Sequence, residues 1–119
     1  MRIAISTMNF RTVSAHAGRA RRFLIYETTP DGEPVAQTPL QLPPSLIIHD
    51  FHCRGPHPLD DVDVLITAGC GMGFVKRMGA RGVSVLISTE PNPDVAARLA
   101  VQGALPDAAT VEGLKACHG

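Results

Sequence analysis

The segment from Thr12 to Phe23 combines small residues, one histidine and three arginines immediately before an apolar run. Glycine and alanine allow backbone N–H groups to approach a ligand closely, because they carry little or no side chain. Guanidinium groups add permanently charged donors in a planar fork, which suits an anion. The segment therefore predicts an anion-binding loop, although the arginines also fit a solvated start of a strand. The candidate binding residues are His16, Gly18, Arg19, Arg21 and Arg22.

A second glycine-rich segment, residues 69–73, lies between an apolar strand-like run and a predicted helix. The N–H groups at a helix N-terminus lack partners and the helix dipole favours negative charge, so this too is a natural anion site. A thiolate is favoured at the same place, which makes Cys70 a candidate metal or cluster ligand. A purely structural turn remains the alternative. The candidate binding residues here are Gly69, Cys70, Gly71, Met72 and Gly73, with His16 and Cys70 as metal ligands.

Four further side chains that can bind metals lie between residues 49 and 57: His49, His52, Cys53 and His57. Their spacings can bring imidazole and thiolate to one zinc or copper ion. A second ligand pair at a fixed distance, as structural zinc sites have, is missing. Pro56 within this stretch and Pro58 just after it indicate an exposed loop, where histidine is common. A metal site and a plain solvent-facing loop are both open here.

The elements that must position these residues alternate between strands and helices along the chain. Apolar runs predict strands over residues 2–6, 22–28, 45–51, 62–67 and 83–87. Helical spacing predicts helices from Phe74 to Gly82 and from Pro93, after an Asn92 cap, to Gly103, with a last short helix at 111–116. Proline density predicts that residues 29–44 form a loop without strand pairing, and residues 52–61 form another. This order predicts an α/β domain with a mixed sheet.

Length, charge and cysteine content limit the domain number, the partners and the location that the chain suits. The 119 residues suit one domain, with a core over about residues 2–104 and a tail from 105. The 11 basic and 11 acidic residues balance, so nothing draws the whole chain to nucleic acid or to a membrane surface. The odd number of cysteines and the lack of a secretory signal predict a reducing, cytoplasmic location.

Enzymatic function is not predicted. General acid–base chemistry needs positioned titratable groups, and no paired carboxylates or Ser/His/Asp arrangement is recognisable in the sequence. Asp60, Asp61 and Asp63 cluster at the entry to one strand, where they fit a turn and caps.

The motifs resemble one known family. The run Thr12-Val13-Ser14-x-His16-x-Gly18-Arg19-Ala20, followed by the strand from Phe23, the glycine segment and Gly82-Val83-x-Val85, is similar to the dinitrogenase iron–molybdenum cofactor biosynthesis family. The resemblance covers about residues 2–104. It implies a ribonuclease-H-like fold, in which a mixed sheet of about five strands is flanked by helices.

The resemblance also implies a function. It implies that the protein binds the iron–molybdenum cofactor, its precursor or a related metal–sulfur cluster without catalysis, with nitrogenase or cofactor-assembly proteins as partners. His16, Gly18 and Arg19 would line the cluster site, opposite residues 69–73. Two departures stand out: Ala17 replaces an aromatic residue, and the helix before residues 62–67 is shortened or lost. A metal-free module that binds a small anion or a partner protein is the competing hypothesis.

Overall fold

The frame formed by the described residues consists of six strands and two α-helices. The computed structural model describes residues 1–50 and 55–110. The strands are β1 (Arg2–Thr7), β2 (Arg22–Thr28), β3 (Pro34–Ala36), β4 (Leu40–Gln41), β5 (Val64–Thr67) and β6 (Ser84–Ile87). The helices are α1 (Met72–Ala80) and α2 (Pro93–Val101).

The strands form one mixed sheet in the order β3-β2-β1-β5-β6, with β4 pairing β2 beside β3. β1 is antiparallel to β2 and parallel to β5, and β5 is parallel to β6. The predicted α/β class with a mixed sheet is therefore confirmed. The carboxyl ends of β1, β5 and β6 meet at one edge of the sheet, which is where ligands bind in open α/β sheets.

The two helices cover opposite faces of the sheet. Phe74 and Met78 of α1 pack with Leu65 in one buried cluster, which we call the α1 face. Ala96 of α2 packs with Ile66 in the other cluster, the α2 face. Since side chains alternate along a strand, the neighbours Leu65 and Ile66 go to opposite faces. β5, the strand predicted over residues 62–67, is therefore buried on both faces.

Two local predictions are wrong. Residues 45–51 do not form a strand: the described part folds into short 3₁₀ turns, Pro44–Leu46 and Ile48–Asp50. The apolar run suggested a strand, but Pro43 and Pro44 fix the backbone for the start of a turn. Residues 29–44 are not a loop without strand pairing, because β3 and β4 both pair β2. Proline is tolerated there since Pro34 begins an edge strand.

The cap of α2 and the glycines that follow both helices agree with the sequence pattern. The Asn92 side chain accepts hydrogen bonds from the N–H groups of Asp94 and Val95, and Pro93 occupies the first turn, as predicted. Gly82 and Gly103 have φ values of 80° and 70° after the two helices. The segment after Gly103 pairs with β6, where Ile87 N–H donates to the Pro106 carbonyl. The predicted helix at 111–116 lies outside the described residues.

We expect Asn92→Ala to lower the free energy of unfolding by about 1 kcal/mol, because two N–H groups of α2 lose their acceptor. Urea denaturation measures the change, and Asn92→Asp, which keeps an acceptor, serves as the matched control. An alanine variant as stable as the parent protein would contradict this assignment of the cap.

Within residues 1–50 and 55–110, no helix has the length and apolar character that a membrane span requires.

Candidate functional site

The two loops predicted to bind an anion lie against each other. The His16 loop (residues 12–20) follows β1, and the glycine loop (residues 69–73) follows β5. Ala15 and Gly69 form a parallel β-bridge, and His16 N–H donates to the Gly69 carbonyl at 2.8 Å. A second bond runs from Ala68 N–H to the Ser14 carbonyl at 2.9 Å. The residues that follow the bridge on the two loops are His16 and Cys70, which places both at one edge of the sheet.

Buried hydroxyl groups at the ends of β1 and β5 hydrogen-bond to the backbone where the two loops meet. The Thr67 hydroxyl lies 3.0 Å from the carbonyl oxygens of both Ser14 and Gly69. The Ser6 hydroxyl donates to the Ser14 carbonyl at 2.8 Å. Ser6 and Thr67 are fully buried near the carboxyl ends of β1 and β5. Sequence reasoning missed both, although a hydroxyl residue closing an otherwise apolar strand is the signal that marks them.

We expect Thr67→Val to lower the free energy of unfolding by about 1–2 kcal/mol, since the Gly69 N–H also uses the Thr67 oxygen as acceptor. Both carbonyls keep another N–H donor, which limits the loss. Thermal or urea unfolding checks it against Thr67→Ser, which retains the hydroxyl. Equal stability of the valine and serine variants would show that the hydroxyl does not hold the loops.

His16 has an unusual backbone and an accessible ring. Its φ and ψ are 59° and 47°, the left-handed region, where histidine is commoner than most non-glycine residues. Strained residues of this kind cluster at functional sites. The side chain is exposed, and its ring has no hydrogen-bond partner among the described residues. The imidazole nitrogens are therefore available to a ligand.

Arg19 extends the site towards His49. Residues Ala17–Arg19 form a 3₁₀ turn in which Ala17 and Gly18 are buried and Arg19 is exposed. The Arg19 Nη2 lies 3.0 Å from His49 Nε2. A guanidinium can only donate, so His49 Nε2 is the acceptor. Arg77 of α1 donates to the His49 carbonyl at 2.9 Å and so fixes this residue beside the His16 loop.

The other two predicted arginines, Arg21 and Arg22, hydrogen-bond to backbone carbonyls of the fold. Arg21 Nε donates to the Leu42 carbonyl at 3.1 Å, and Arg22 Nη1 donates to the Met8 carbonyl at 3.1 Å. By the alternation of β2, Arg22 shares the α2 face with Leu24, whereas Cys70 packs against the cluster of the α1 face. Arg22 thus lies on the other side of the sheet from Cys70, and each arginine joins neighbouring segments of backbone.

The glycine loop leads directly into α1. The helix begins at Met72, two residues earlier than the sequence indicated, after an N-cap at Gly71. No side chain in the described part of the chain caps it, because glycine has none to offer. The N–H groups of Met72 and Gly73 therefore lie in the first turn, at the end of the helix that attracts anions. Cys70 and Met72 are half-buried and pack against the α1 face.

Ser14 adds a feature that the sequence did not single out as a site residue. Its hydroxyl oxygen is buried and has no hydrogen-bond partner among residues 1–50 and 55–110. A buried polar group without a partner is costly, which makes this hydroxyl a candidate to hydrogen-bond a ligand. Its backbone joins the two loops, which places this hydroxyl at their junction.

His57 does not join the site. Its Nδ1 accepts from Leu59 N–H at 3.0 Å, and its Nε2 lies 2.6 Å from the Leu46 carbonyl oxygen. Nδ1 of this buried residue thus caps the turn Pro58–Asp61, and Nε2 joins that turn to the turn Pro44–Leu46, so both ring nitrogens are engaged within the frame. His52 and Cys53 lie outside the described residues. In the described part of the chain, no three or more His, Cys, Asp or Glu side chains group to hold a metal ion.

The sequence of this chain is similar to that of a known protein. Protein NifX of Sinorhizobium fredii (strain NBRC 101917 / NGR234) is 25% identical over 99 residues, which are 78% of this chain and 58% of NifX. The chain thus spans less than two thirds of that relative's length.

Solved structures share the fold. The apo form of the orange protein from Desulfovibrio gigas matches with a TM-score of 0.60 at 18% identity, over 89% of this chain and 91% of that one. A Thermotoga protein named as a candidate NifB matches with a TM-score of 0.62 at 24% identity, over 94% and 98%. The family model for the dinitrogenase iron-molybdenum cofactor matches residues 1–103, which include both loops. The chain therefore belongs to the dinitrogenase iron-molybdenum cofactor family.

Proposed function

We propose that this protein is a non-enzymatic, cytoplasmic carrier of an anionic metal–sulfur cluster, such as the iron–molybdenum cofactor or its precursor. The observation that supports it most is the direct pairing of the His16 loop with the glycine loop at Ala15 and Gly69. This pairing brings an accessible imidazole, a thiol and an uncapped helix N-terminus to one edge of the sheet. Family membership supports the same class of ligand.

Each group in the site suits one feature of such a cargo. The His16 ring and the Cys70 thiolate are nitrogen and sulfur donors of the kind that transition metals accept. The N–H groups of Met72 and Gly73 suit sulfide at the cluster surface, and the exposed Arg19 guanidinium offsets negative charge. The Ser14 hydroxyl supplies one more donor at the junction. A lone zinc or copper ion is the less favoured cargo.

The acidic residues near β5 favour holding a cargo over transforming it. Asp60 forms an ion pair with Arg81 at 2.7 Å, and the Asp63 carboxylate accepts from Arg2 N–H at 2.8 Å. These carboxylates thus stabilise the fold through contacts with Arg81 and with the backbone of Arg2. β1, on which ribonuclease-H-like enzymes carry an acidic residue, reads Arg-Ile-Ala-Ile-Ser-Thr and has none.

The proposed partners are nitrogenase or the proteins that assemble its cofactor. The similarity to NifX supports this context. The chain spans 58% of the length of NifX, so these partners are proposed for it and are not carried over from the relative. Transfer to a partner requires an open site, and the exposed positions of His16 and Arg19 provide one.

Metal and acid-labile sulfide analysis of protein purified anaerobically from its host tests the proposal. We expect iron or molybdenum together with sulfide, and a visible charge-transfer band. A colourless, metal-free protein that also fails to take up added iron–molybdenum cofactor would contradict it. A thermal shift with inorganic phosphate in that same preparation would then favour the small-anion module.

A further inference from the structure

A cleft of about 500 Å³ lies on the α2 face, on the other side of the sheet from Cys70. Its walls are the loop of residues 10–12, Leu24 and Tyr26 of β2, and residues 91–94 at the start of α2. This volume falls within the range of small-molecule sites. We call it the α2 cleft.

The α2 cleft is held in shape by contacts within the frame. Val13 N–H donates to the Pro91 carbonyl at 2.9 Å, which joins two of its walls. The Asn9 side chain accepts from the N–H groups of Arg11 and Thr12 at 2.9 and 3.1 Å. These bonds hold Phe10 at a φ of 60°, in the left-handed region that bulky residues avoid. Backbone strain at an aromatic residue that lines a cleft is typical of functional loops.

The charged groups of the cleft differ in sign. Arg11 is exposed, and its guanidinium has no hydrogen-bond or ion-pair partner among the described residues. Asp94 uses one carboxylate oxygen to accept from the Tyr26 hydroxyl at 2.5 Å. Burial, followed by this hydrogen bond and the Asp94 charge, raises the pKa of Tyr26 well above its ordinary value. Tyr26 therefore remains a donor at neutral pH, and the second oxygen of Asp94 can accept from a ligand.

We propose that the α2 cleft binds a free amino acid with an apolar side chain. The Arg11 guanidinium pairs with the ligand carboxylate in the two-pronged geometry that suits both groups. Asp94 accepts from the ligand ammonium, and the side chain of the ligand packs against Phe10, Leu24 and Pro93. A phosphate or other polyanion is disfavoured, because Asp94 repels it. The proposal does not depend on a metal cluster at the His16 loop.

Binding of three related probes, measured by isothermal titration calorimetry on the full chain, tests this. L-Phenylalanine carries both charges, 3-phenylpropionate lacks the ammonium, and phenethylamine lacks the carboxylate. We expect one L-phenylalanine per chain and at least about tenfold weaker binding of either analogue, as expected when one charged contact is lost. L-Leucine serves as a second apolar probe that keeps both charges.

Two variants assign the charges. Arg11→Gln is expected to weaken L-phenylalanine binding by about tenfold or more, and Asp94→Asn to do so for L-phenylalanine but not for 3-phenylpropionate. Arg98→Gln, an exposed charge on the same helix, is the matched control and is expected to bind like the parent. Equal binding of all three probes, no binding of either amino acid, or binding of inorganic phosphate or a peptide instead would overturn the proposal.

Discussion

The double variant His16→Asn, Cys70→Ser is expected to bind isolated iron–molybdenum cofactor at least about 100-fold more weakly than the parent protein, a loss of about 2.7 kcal/mol. The variant removes the imidazole and the thiolate, the two donors best suited to transition metals in the proposed site. Serine keeps the size of cysteine, and the N–H groups at the start of α1 are unchanged. The change in affinity then reports on the two donors.

Asparagine is the informative replacement at His16, because it tolerates the left-handed backbone that this position requires. The free energy of unfolding should therefore stay close to that of the parent protein. The two single variants divide the loss between the loops, and Lys76→Ala, an exposed charge on α1, is the matched control. A folded double variant that binds the cofactor as tightly as the parent would refute the assignment of the site.

The second large effect concerns the anchor of α1. Phe74→Ala is expected to lower the free energy of unfolding by about 3–5 kcal/mol, the usual cost of truncating a buried phenylalanine. Phe74 is 1% exposed and packs in the cluster of the α1 face, two residues after the start of the helix. Its loss therefore leaves a cavity directly behind the glycine loop.

Urea denaturation, followed by circular dichroism, measures this effect. Phe74→Leu keeps most of the apolar volume and should cost less than about 1.5 kcal/mol. If the leucine and alanine variants were equally stable, Phe74 would not be the anchor that the structure indicates. A stable alanine variant would also open the position of α1 to doubt.

Regular, strongly patterned elements were predictable from the sequence. The bounds of β2, the cap at Asn92 and the burial of β5 follow from local pattern, since alternation, capping and apolar runs depend on nearby residues. The predictions for the proline-rich stretches were wrong because their structure depends on distant residues. Whether Pro34 ends pairing or begins an edge strand is decided by the position of β2, which a local pattern does not contain.

The candidate site divides in the same way. The chemistry of His16 and Cys70, and the meeting of their loops, were predicted from residue types and from the family resemblance. The hydroxyl groups of Ser6 and Thr67 were missed, because their partner is the Ser14 carbonyl on another segment of the chain. The role of His57 was missed likewise, since its Nε2 partner, the Leu46 carbonyl, belongs to a turn in a segment whose apolar run predicted a strand.

Co-migration of molybdenum with the protein is the decisive measurement for the proposed cluster site. Metal-free protein is mixed anaerobically with isolated iron–molybdenum cofactor, separated by gel filtration and analysed for molybdenum, with the double variant in parallel. We expect about one molybdenum per chain for the parent protein and little for the double variant. Molybdenum absent from the folded parent protein, or present equally in both, would contradict it.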